Sequence, residues 1–220
     1  MKRLFTLLFA VHILSVNAQS GLLNGTGYAP DFTVTDLNGN SHSLYNYLDS
    51  GYVLVIELMS TTCGHCQQHA AGTENSYQTN GTSGSNVARF LGLEINASTD
   101  STAVANFINN FGASFPFANN ILPTTIDYQL YYYPGFYVIY PDRSYTTICA
   151  FGCVSANTAS TIEILLDNAI GLWTPIYGCK DSTACNYDAS ATADDGSCEY
   201  ISCVGCNGDP ITGLFVSGII

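Results

Sequence analysis

Two cysteines separated by two residues are the most reactive feature of this 220-residue sequence. Cys63 and Cys66 stand in Cys-Gly-His-Cys, directly after an apolar, β-branched run at residues 52–59. If this run is a strand that leads into a helix, Cys63 lies at the helix N-terminus, where free N–H groups and the macrodipole favour a thiolate. Cys66, one turn further on, would be shielded and could resolve a mixed disulfide. The pattern therefore predicts a redox-active dithiol.

Two titratable residues flank this pair. His65 lies between the cysteines, and its positive charge would stabilise the reduced form and make the disulfide a stronger oxidant. Glu57 interrupts the apolar run, where a buried carboxylate is costly unless it is partnered or protonated. Beneath a dithiol, Glu57 could move a proton to or from Cys66. The alternative for Glu57 is an outward-facing position or an edge strand.

A zinc site is the competing chemistry for a C-x-x-C pair. A structural zinc site needs four ligands. The second C-x-x-C, Cys203 and Cys206, lies in a tail of different composition. His42 and His69 are expected on solvated surfaces. The sequence therefore favours the redox pair over zinc.

The N-terminus predicts export. Lys2 and Arg3 precede an apolar run at residues 4–16, and Ala18 ends a cleavage-site pattern. The run is shorter than the roughly 20 apolar residues that a membrane span needs. We therefore predict a signal peptide at residues 1–18, no membrane span after its removal, and a periplasmic, extracellular or cell-surface location.

The charge of the chain argues against one class of partner, and its cysteine content supports the predicted compartment. The chain has 17 acidic residues against 5 Lys and Arg, so nucleic acid binding is excluded as a function because phosphate contacts need clustered cations. Nine cysteines in an exported chain indicate an oxidising environment.

Strand-like and helix-like runs alternate up to residue 171. This order predicts an α/β domain of three layers with a mixed sheet. Ser101 is the expected cap of one helix and Gly112 its stop. The predicted strands are 32–36, 52–59 and 87–95; the predicted helices are 101–112 and 155–171; and a hairpin is predicted from 135–141 and 144–151.

The stretch at residues 29–66 resembles the opening of the TlpA/ResA-like redoxins of the thioredoxin superfamily. The motif Ala29-Pro30-Asp31-Phe32, the Asn38-Gly39 turn, Leu44, the strand at 53–56 and the C-x-x-C follow the family's order. The resemblance covers roughly residues 28–171 and implies a thioredoxin-like fold.

The resemblance also implies roles for individual residues. Glu57 stands where the superfamily has its buried acid. Tyr133-Pro134 stands where the family has a cis-proline that faces the dithiol, so that the backbone of Tyr133 would pair with a substrate peptide. The residues directly before Cys63 are polar, whereas the family has aromatic residues there. The helix after Cys66 lacks the proline that kinks this helix in the family.

The expected function is an exported thiol–disulfide oxidoreductase acting on protein disulfides. Its redox-active disulfide would need no cofactor, and its partners would be protein thiols and disulfides and an unidentified electron donor or acceptor. The family is mostly reductant, whereas His65 favours oxidase or isomerase behaviour; we prefer the reductase role.

Two alternatives stay open. One is a binding or adhesive surface protein that keeps a redoxin fold without catalysis. The other is a peroxiredoxin, which shares the opening Ala-Pro-Asp-Phe. Its P-x-x-x-T-x-x-C motif is not matched, because Ile56 and Ser60 stand at the proline and threonine positions.

The remaining cysteines predict structural cross-links. Cys149 and Cys153 would close a short loop, or form a second redox pair that relays electrons to the first. Residues 19–171 are the predicted redoxin domain, 172–177 a linker, and 178–220 a disulfide-rich appendage. The appendage resembles a Cys/Asp-rich repeat of secreted bacterial proteins.

Within this appendage, Cys185 and Cys198 bracket an acidic loop that a disulfide would close. Asp188, Asp194 and Asp195 could offer oxygens to calcium. The alternative is a solvated acidic loop without a metal ion.

Overall fold

The computed structural model describes residues 28–119, 121, 128, 130, 132–149 and 158–200. The predicted signal peptide and three cysteines lie outside these residues: Cys153, Cys203 and Cys206. In the part of the chain that is described, every helix is too short or too polar to cross a bilayer.

A mixed sheet of five strands forms the centre of the fold, in the order β5-β4-β3-β6-β7. The first three of these neighbours run parallel, and β6 and β7 continue the sheet antiparallel on the other side of β3. The strands are β3 (Val53–Met59), β4 (Ala88–Glu94), β5 (Phe117–Ala118), β6 (Gly135–Ile139) and β7 (Tyr145–Ile148). Shorter strands pair outside it: β1 (Thr33–Thr35) with β2 (Ser41–Ser43), and β8 (Tyr177–Gly178) with β9 (Ala193–Asp194).

β3 is central because all seven of its residues are buried. Its side chains alternate between two apolar clusters, as the period of two along a strand requires. Val53, Val55 and Met59 belong to one cluster, whereas Leu54, Ile56 and Leu58 belong to the other. By the same alternation Glu57 faces the first cluster, which also contains Cys66 and lies on the side of the dithiol helix.

Among the described residues there are four helices: α1 (Leu44–Asp49), α2 (Gly64–Asn80), α3 (Ser101–Phe111) and α4 (Ala159–Ile170). The sequence placed the cap of α3 at Ser101, but the Asp100 carboxylate accepts the N–H of Ala103 at 2.8 Å and is the cap. Gly112 ends the helix with a φ of 72°, as expected of a left-handed C-terminal residue.

The dithiol helix α2 is polar, and small side chains let it approach α4 closely. A Cβ atom added to Gly72 would lie 2.0 Å from the carbonyl oxygen of Ala159. Further along, Ser76 and Asn80 both donate to Asp167 Oδ1, at 2.6 and 2.7 Å. Close backbone approach and these hydrogen bonds add to the apolar packing of Ala70, Ile162 and Leu166 at this helix pair.

The β1–β2 hairpin carries a buried polar cluster. His42 bonds Asp36 through Nε2 at 3.0 Å and Tyr47 through Nδ1 at 2.6 Å. Burial opposes ionisation of Asp36, but hydrogen bonds from His42 and Asn40 lower the pKa of its carboxyl to about 2. The expectation of a solvated His42 was wrong, because its side chain is 8% exposed and both ring nitrogens have partners.

The appendage is cross-linked differently from the expectation. Cys198 forms a disulfide with Cys179, not with Cys185. Cys185 is itself disulfide-bonded. The loop between Cys185 and Cys198 is therefore not closed by a bond between its own ends.

The acidic residues of the appendage, for which the sequence offered either calcium or a solvated loop, accept hydrogen bonds within local turns, and calcium binding itself stays a prediction. Asp188, Asp194 and Asp195 each accept a backbone N–H two residues further along the chain. Across residues 28–200, as far as they are described, no group of three or more His, Cys, Asp and Glu side chains could hold a metal ion. These turns give each carboxylate a local partner.

Candidate active site

Cys63 lies at the N-terminal end of α2, which is the position predicted from the sequence for the reactive thiol. It is the N-cap residue, and its Sγ accepts the N–H of Cys66 at 3.4 Å. The Cys63 side chain is partly exposed, and both thiols are free. A thiolate here would be stabilised by the free N–H groups of the first helical turn.

Cys66 has the opposite environment. Its side chain is fully buried. Burial raises the pKa of its thiol, and the charge of Glu57 raises it further. The Cys63 side chain is therefore accessible from solvent, whereas that of Cys66 is not.

Glu57 is the buried acid of the site. Its side chain is 2% exposed, and its Oε1 has no hydrogen-bond partner among the described residues. Its strand neighbours are Gly92 on β4 and Phe136 on β6, which offer no opposite charge. Burial raises the pKa of the Glu57 carboxyl to about 8. Near neutral pH, Glu57 can therefore both hold and release a proton.

A loop from the start of β6 faces the dithiol. The Tyr133–Pro134 peptide bond is cis, and the Cys63 thiol donates to the carbonyl oxygen of Tyr133 at 3.6 Å. Tyr132 and Tyr133 are 65% and 41% exposed beside it. Two exposed tyrosines thus precede the proline, and the backbone of the second contacts the Cys63 sulfur.

His65 is exposed on the first turn of α2, and its ring centroid lies 6.3 Å from that of His69. The expectation of a solvated His69 was wrong, because its side chain is fully buried. His69 follows Cys66 by one helical turn, so it belongs to the buried side of the dithiol helix.

Sequence reasoning missed Glu94, the last residue of β4. Its side chain is fully buried, and its carboxylate accepts the N–H of Thr61 at 2.6 Å and that of Asn96 at 2.9 Å. The signal was present: like Glu57, it is a charged residue within a predicted buried strand. Its position is distant from the C-x-x-C in sequence, so the chemistry of that pair did not indicate it.

Cys149 lies at the same end of the sheet as Pro134. It follows Ile148, which pairs with Phe136 on β6. Cys149 is disulfide-bonded. Its expected partner Cys153 is outside the described residues, so the choice between a structural disulfide and a second redox pair stays a prediction.

Comparisons with known proteins support the fold. No family model matches this sequence, and no curated protein is similar to it. A secreted disulfide oxidoreductase of Mycobacterium tuberculosis, homologous to E. coli DsbE, superposes with a TM-score of 0.51 at 18% identity, over 64% of this chain and 96% of the other. A thiol:disulfide interchange protein of Chlorobium tepidum gives 0.52 at 16% identity, over 66% and 96%.

A third structure, a thiol:disulfide interchange protein from Bacteroides sp., gives a TM-score of 0.53 at 14% identity, over 68% of this chain and 91% of the other. At such low identity the likeness shows the fold and not the activity. The predicted thioredoxin-like α/β fold with a mixed central sheet is thereby confirmed, and the appendage contains a disulfide between Cys179 and Cys198.

Proposed function

We propose that this chain is an exported thiol–disulfide oxidoreductase that acts on protein disulfides through Cys63 and Cys66. The observation that carries the proposal is the division of environments within the pair. One thiol is partly exposed at a helix N-terminus, and the other is buried on the side of the sheet that Glu57 faces. Each neighbouring structure named above is that of a disulfide oxidoreductase or a thiol:disulfide interchange protein.

The reductive cycle begins with the Cys63 thiolate. It attacks one sulfur of a substrate disulfide, whose S–S bond breaks, and the second substrate sulfur leaves as a thiolate that takes up a proton. Cys63 is then in a mixed disulfide. Cys66 loses its proton to Glu57 and attacks Cys63 Sγ, and the first substrate sulfur leaves. Two electrons have passed from the dithiol to the substrate, and the Cys63–Cys66 disulfide has formed.

Substrate docking would use the exposed loop at Tyr132 and Tyr133. The Tyr133 carbonyl already accepts a hydrogen bond from the Cys63 thiol, so it lies where a substrate backbone N–H could replace that donor. Two large tyrosine faces beside it suit an extended segment with apolar or aromatic side chains.

Replacement of Cys63 by Ser tests the proposal. We expect Cys63→Ser to abolish insulin-disulfide reduction, because no other described thiol is exposed. Cys66→Ser should instead trap a mixed disulfide that non-reducing electrophoresis detects. The matched control is the double change Cys179→Ser with Cys198→Ser, which removes a cysteine pair away from the dithiol and should retain turnover. Full turnover by Cys63→Ser would refute the proposal.

The direction of electron flow is tested by the reduction potential of the pair. We propose the reductase direction and expect a reduction potential of about −270 mV for the pair, measured in equilibrium with glutathione. A potential of about −120 to −180 mV would reverse the assignment to an oxidase or isomerase. Cys63→Ser gives the baseline of the measurement, because it cannot form the disulfide.

A further inference from the structure

The chain between β3 and α2 is held from two sides at Thr61. Its N–H donates to Glu94 on β4 at 2.6 Å, and its carbonyl accepts Gln67 Nε2 of α2 at 2.9 Å. Thr61 therefore joins the end of the central sheet to the first turns of the dithiol helix, two residues before Cys63.

The rest of this short loop depends on the same anchor. The Cys63 N–H donates to the carbonyl of Ser60 at 3.0 Å, which closes a turn around Thr61. The Ser60 hydroxyl lies 3.1 Å from that of Thr62 and accepts Asn96 Nδ2 at 3.4 Å. These side chains are small and polar, so hydrogen bonds and not apolar packing determine where the loop lies.

Glu94 is suited to anchor this loop because its carboxylate is committed to it. Each oxygen accepts one backbone N–H, Oε2 from Thr61 and Oε1 from Asn96. The salt bridges among the described residues, His42–Asp36 and Arg143–Asp49, do not involve it. Hydrogen bonds to a charged acceptor are stronger than neutral ones, and their loss in a buried site leaves donors unsatisfied.

We propose that Glu94 is a positioning residue of the dithiol, which fixes the loop at residues 60–62 and through it the relative placement of Cys63 and Cys66. The inference rests on the proposed function, since its consequence is the rate of disulfide exchange. Both cysteines contact this loop: Cys63 donates its N–H to the Ser60 carbonyl, and the Cys66 thiol interacts with the Ser60 backbone, which lowers the pKa of that thiol against the larger rise that burial causes. Glu94 itself does not touch the reacting sulfur atoms; it acts through Thr61.

The test compares Glu94→Ala and Glu94→Gln with the full-length wild type. We expect Glu94→Ala to lower kcat for insulin-disulfide reduction about tenfold, equivalent to about 1.4 kcal/mol, with KM within about twofold. Glu94→Gln should recover part of this loss, because its amide oxygen can still accept the Thr61 N–H. Amide hydrogen exchange at Thr61, followed by NMR, should accelerate in Glu94→Ala and less in Glu94→Gln.

Glu74 supplies the matched control. Its carboxylate also accepts a backbone N–H from another segment, that of Ser114 at 2.8 Å, but this contact is remote from the dithiol in sequence and on the helix. Glu74→Ala should lower the melting temperature and leave kcat unchanged. An equal loss of kcat in Glu74→Ala would reduce Glu94 to a general stabilising residue and overturn the proposal.

Other outcomes are equally decisive. Unchanged kcat in both Glu94 variants, or unchanged exchange at Thr61, would refute positioning by Glu94 while leaving the proposed function intact. If Glu94→Ala does not fold, Glu94→Gln alone carries the test, and wild-type kcat with accelerated Thr61 exchange would refute the inference. A wild-type protein without turnover would overturn the proposed function and this inference with it.

Discussion

Two buried glutamates at the dithiol end show how environment decides the chemistry of one residue type. Glu94 has a backbone N–H donor for each carboxylate oxygen, so both of its oxygens act as hydrogen-bond acceptors. Glu57 has an oxygen without a partner among the described residues, and burial raises the pKa of its carboxyl to about 8. The first carboxyl holds the loop before α2 through backbone donors, and we propose that the second exchanges a proton with Cys66.

Replacement of Glu57 by Gln should stabilise the protein at alkaline pH and slow its catalysis. The Glu57 pKa is about 8 in the folded protein and 4.5 as its ordinary value. The folded state therefore binds more protons between these values, and the free energy of unfolding falls as pH rises from 4.5 through 8. Glu57→Gln removes this loss, so the variant should exceed the wild type by a few kcal/mol, on the order of the linkage energy, at pH 8.

Urea denaturation of both proteins at about pH 5 and pH 8 measures this difference, since the wild type should approach the variant at the lower pH. Insulin turnover near neutral pH should fall in Glu57→Gln, because the amide cannot accept the Cys66 proton. A stability difference that is the same at both pH values would show that Glu57 does not titrate as its burial requires.

At the scale of elements, periodicity predicted those whose burial is apolar. The continuous run before Cys63 became β3, and the predicted helix at 101–112 became α3, which buries Val104 and Phe107. Polar burial could not be predicted in this way. His42 is buried because Asp36 and Tyr47 meet it from neighbouring segments, and a pattern along one segment does not record such partners.

The same distinction holds for the candidate site: residues that adjoin the C-x-x-C along the chain were predicted, and a residue placed by strand pairing was not. Cys63, Cys66 and Glu57 were found because they adjoin one another on β3 and α2. Glu94 was not, since its function depends on the parallel pairing of β4 with β3, which sets it beside Met59. Position in a sheet register is a tertiary property, and one sequence without its partners does not specify it.

The contact between α2 and α4 should tolerate no side chain at Gly72. A Cβ atom there would lie 2.0 Å from the carbonyl oxygen of Ala159, so the helices must separate. We expect Gly72→Ala to lower the free energy of unfolding by about 1–3 kcal/mol, although alanine favours helix. Gly64→Ala is the control, because a Cβ atom on Gly64 meets nothing within 4 Å. Equal melting temperatures of the two variants would show that α4 can move away from α2 without loss of stability.

At the scale of the whole molecule, the appendage lies at the end of β3 remote from the dithiol. Lys180 Nζ donates to the carbonyl of Asp49, and a Cβ atom added to Gly51 would lie 2.4 Å from the carbonyl oxygen of Thr192. Asp49 and Gly51 precede β3, whereas Cys63 follows it. A strand of seven residues separates the two ends by about 20 Å. The domain boundaries themselves stay predictions, but these contacts show that the appendage packs on the main domain.

Truncation after Pro175 should therefore change stability and leave catalysis alone. It removes the Lys180 contact and the pairing of β8 with β9, but keeps Trp173, whose ring stacks on Tyr140 with centroids 6.1 Å apart. We expect the main domain to lose about 1–2 kcal/mol, the usual contribution of one or two such hydrogen bonds. Insulin turnover by the truncated protein should equal that of the full chain at a temperature where both are folded.

Lys180→Met separates docking of the appendage from its presence. This variant keeps the disulfide between Cys179 and Cys198 but lacks the amine that reaches Asp49. Its loss of stability should be part of that caused by truncation, and its turnover should match the wild type. Calorimetric melting compares the stability of the wild type, the truncated protein and Lys180→Met. An unchanged melting temperature after truncation would show that the appendage contributes nothing to the main domain, whereas lost turnover would show that it acts on the dithiol across the length of β3.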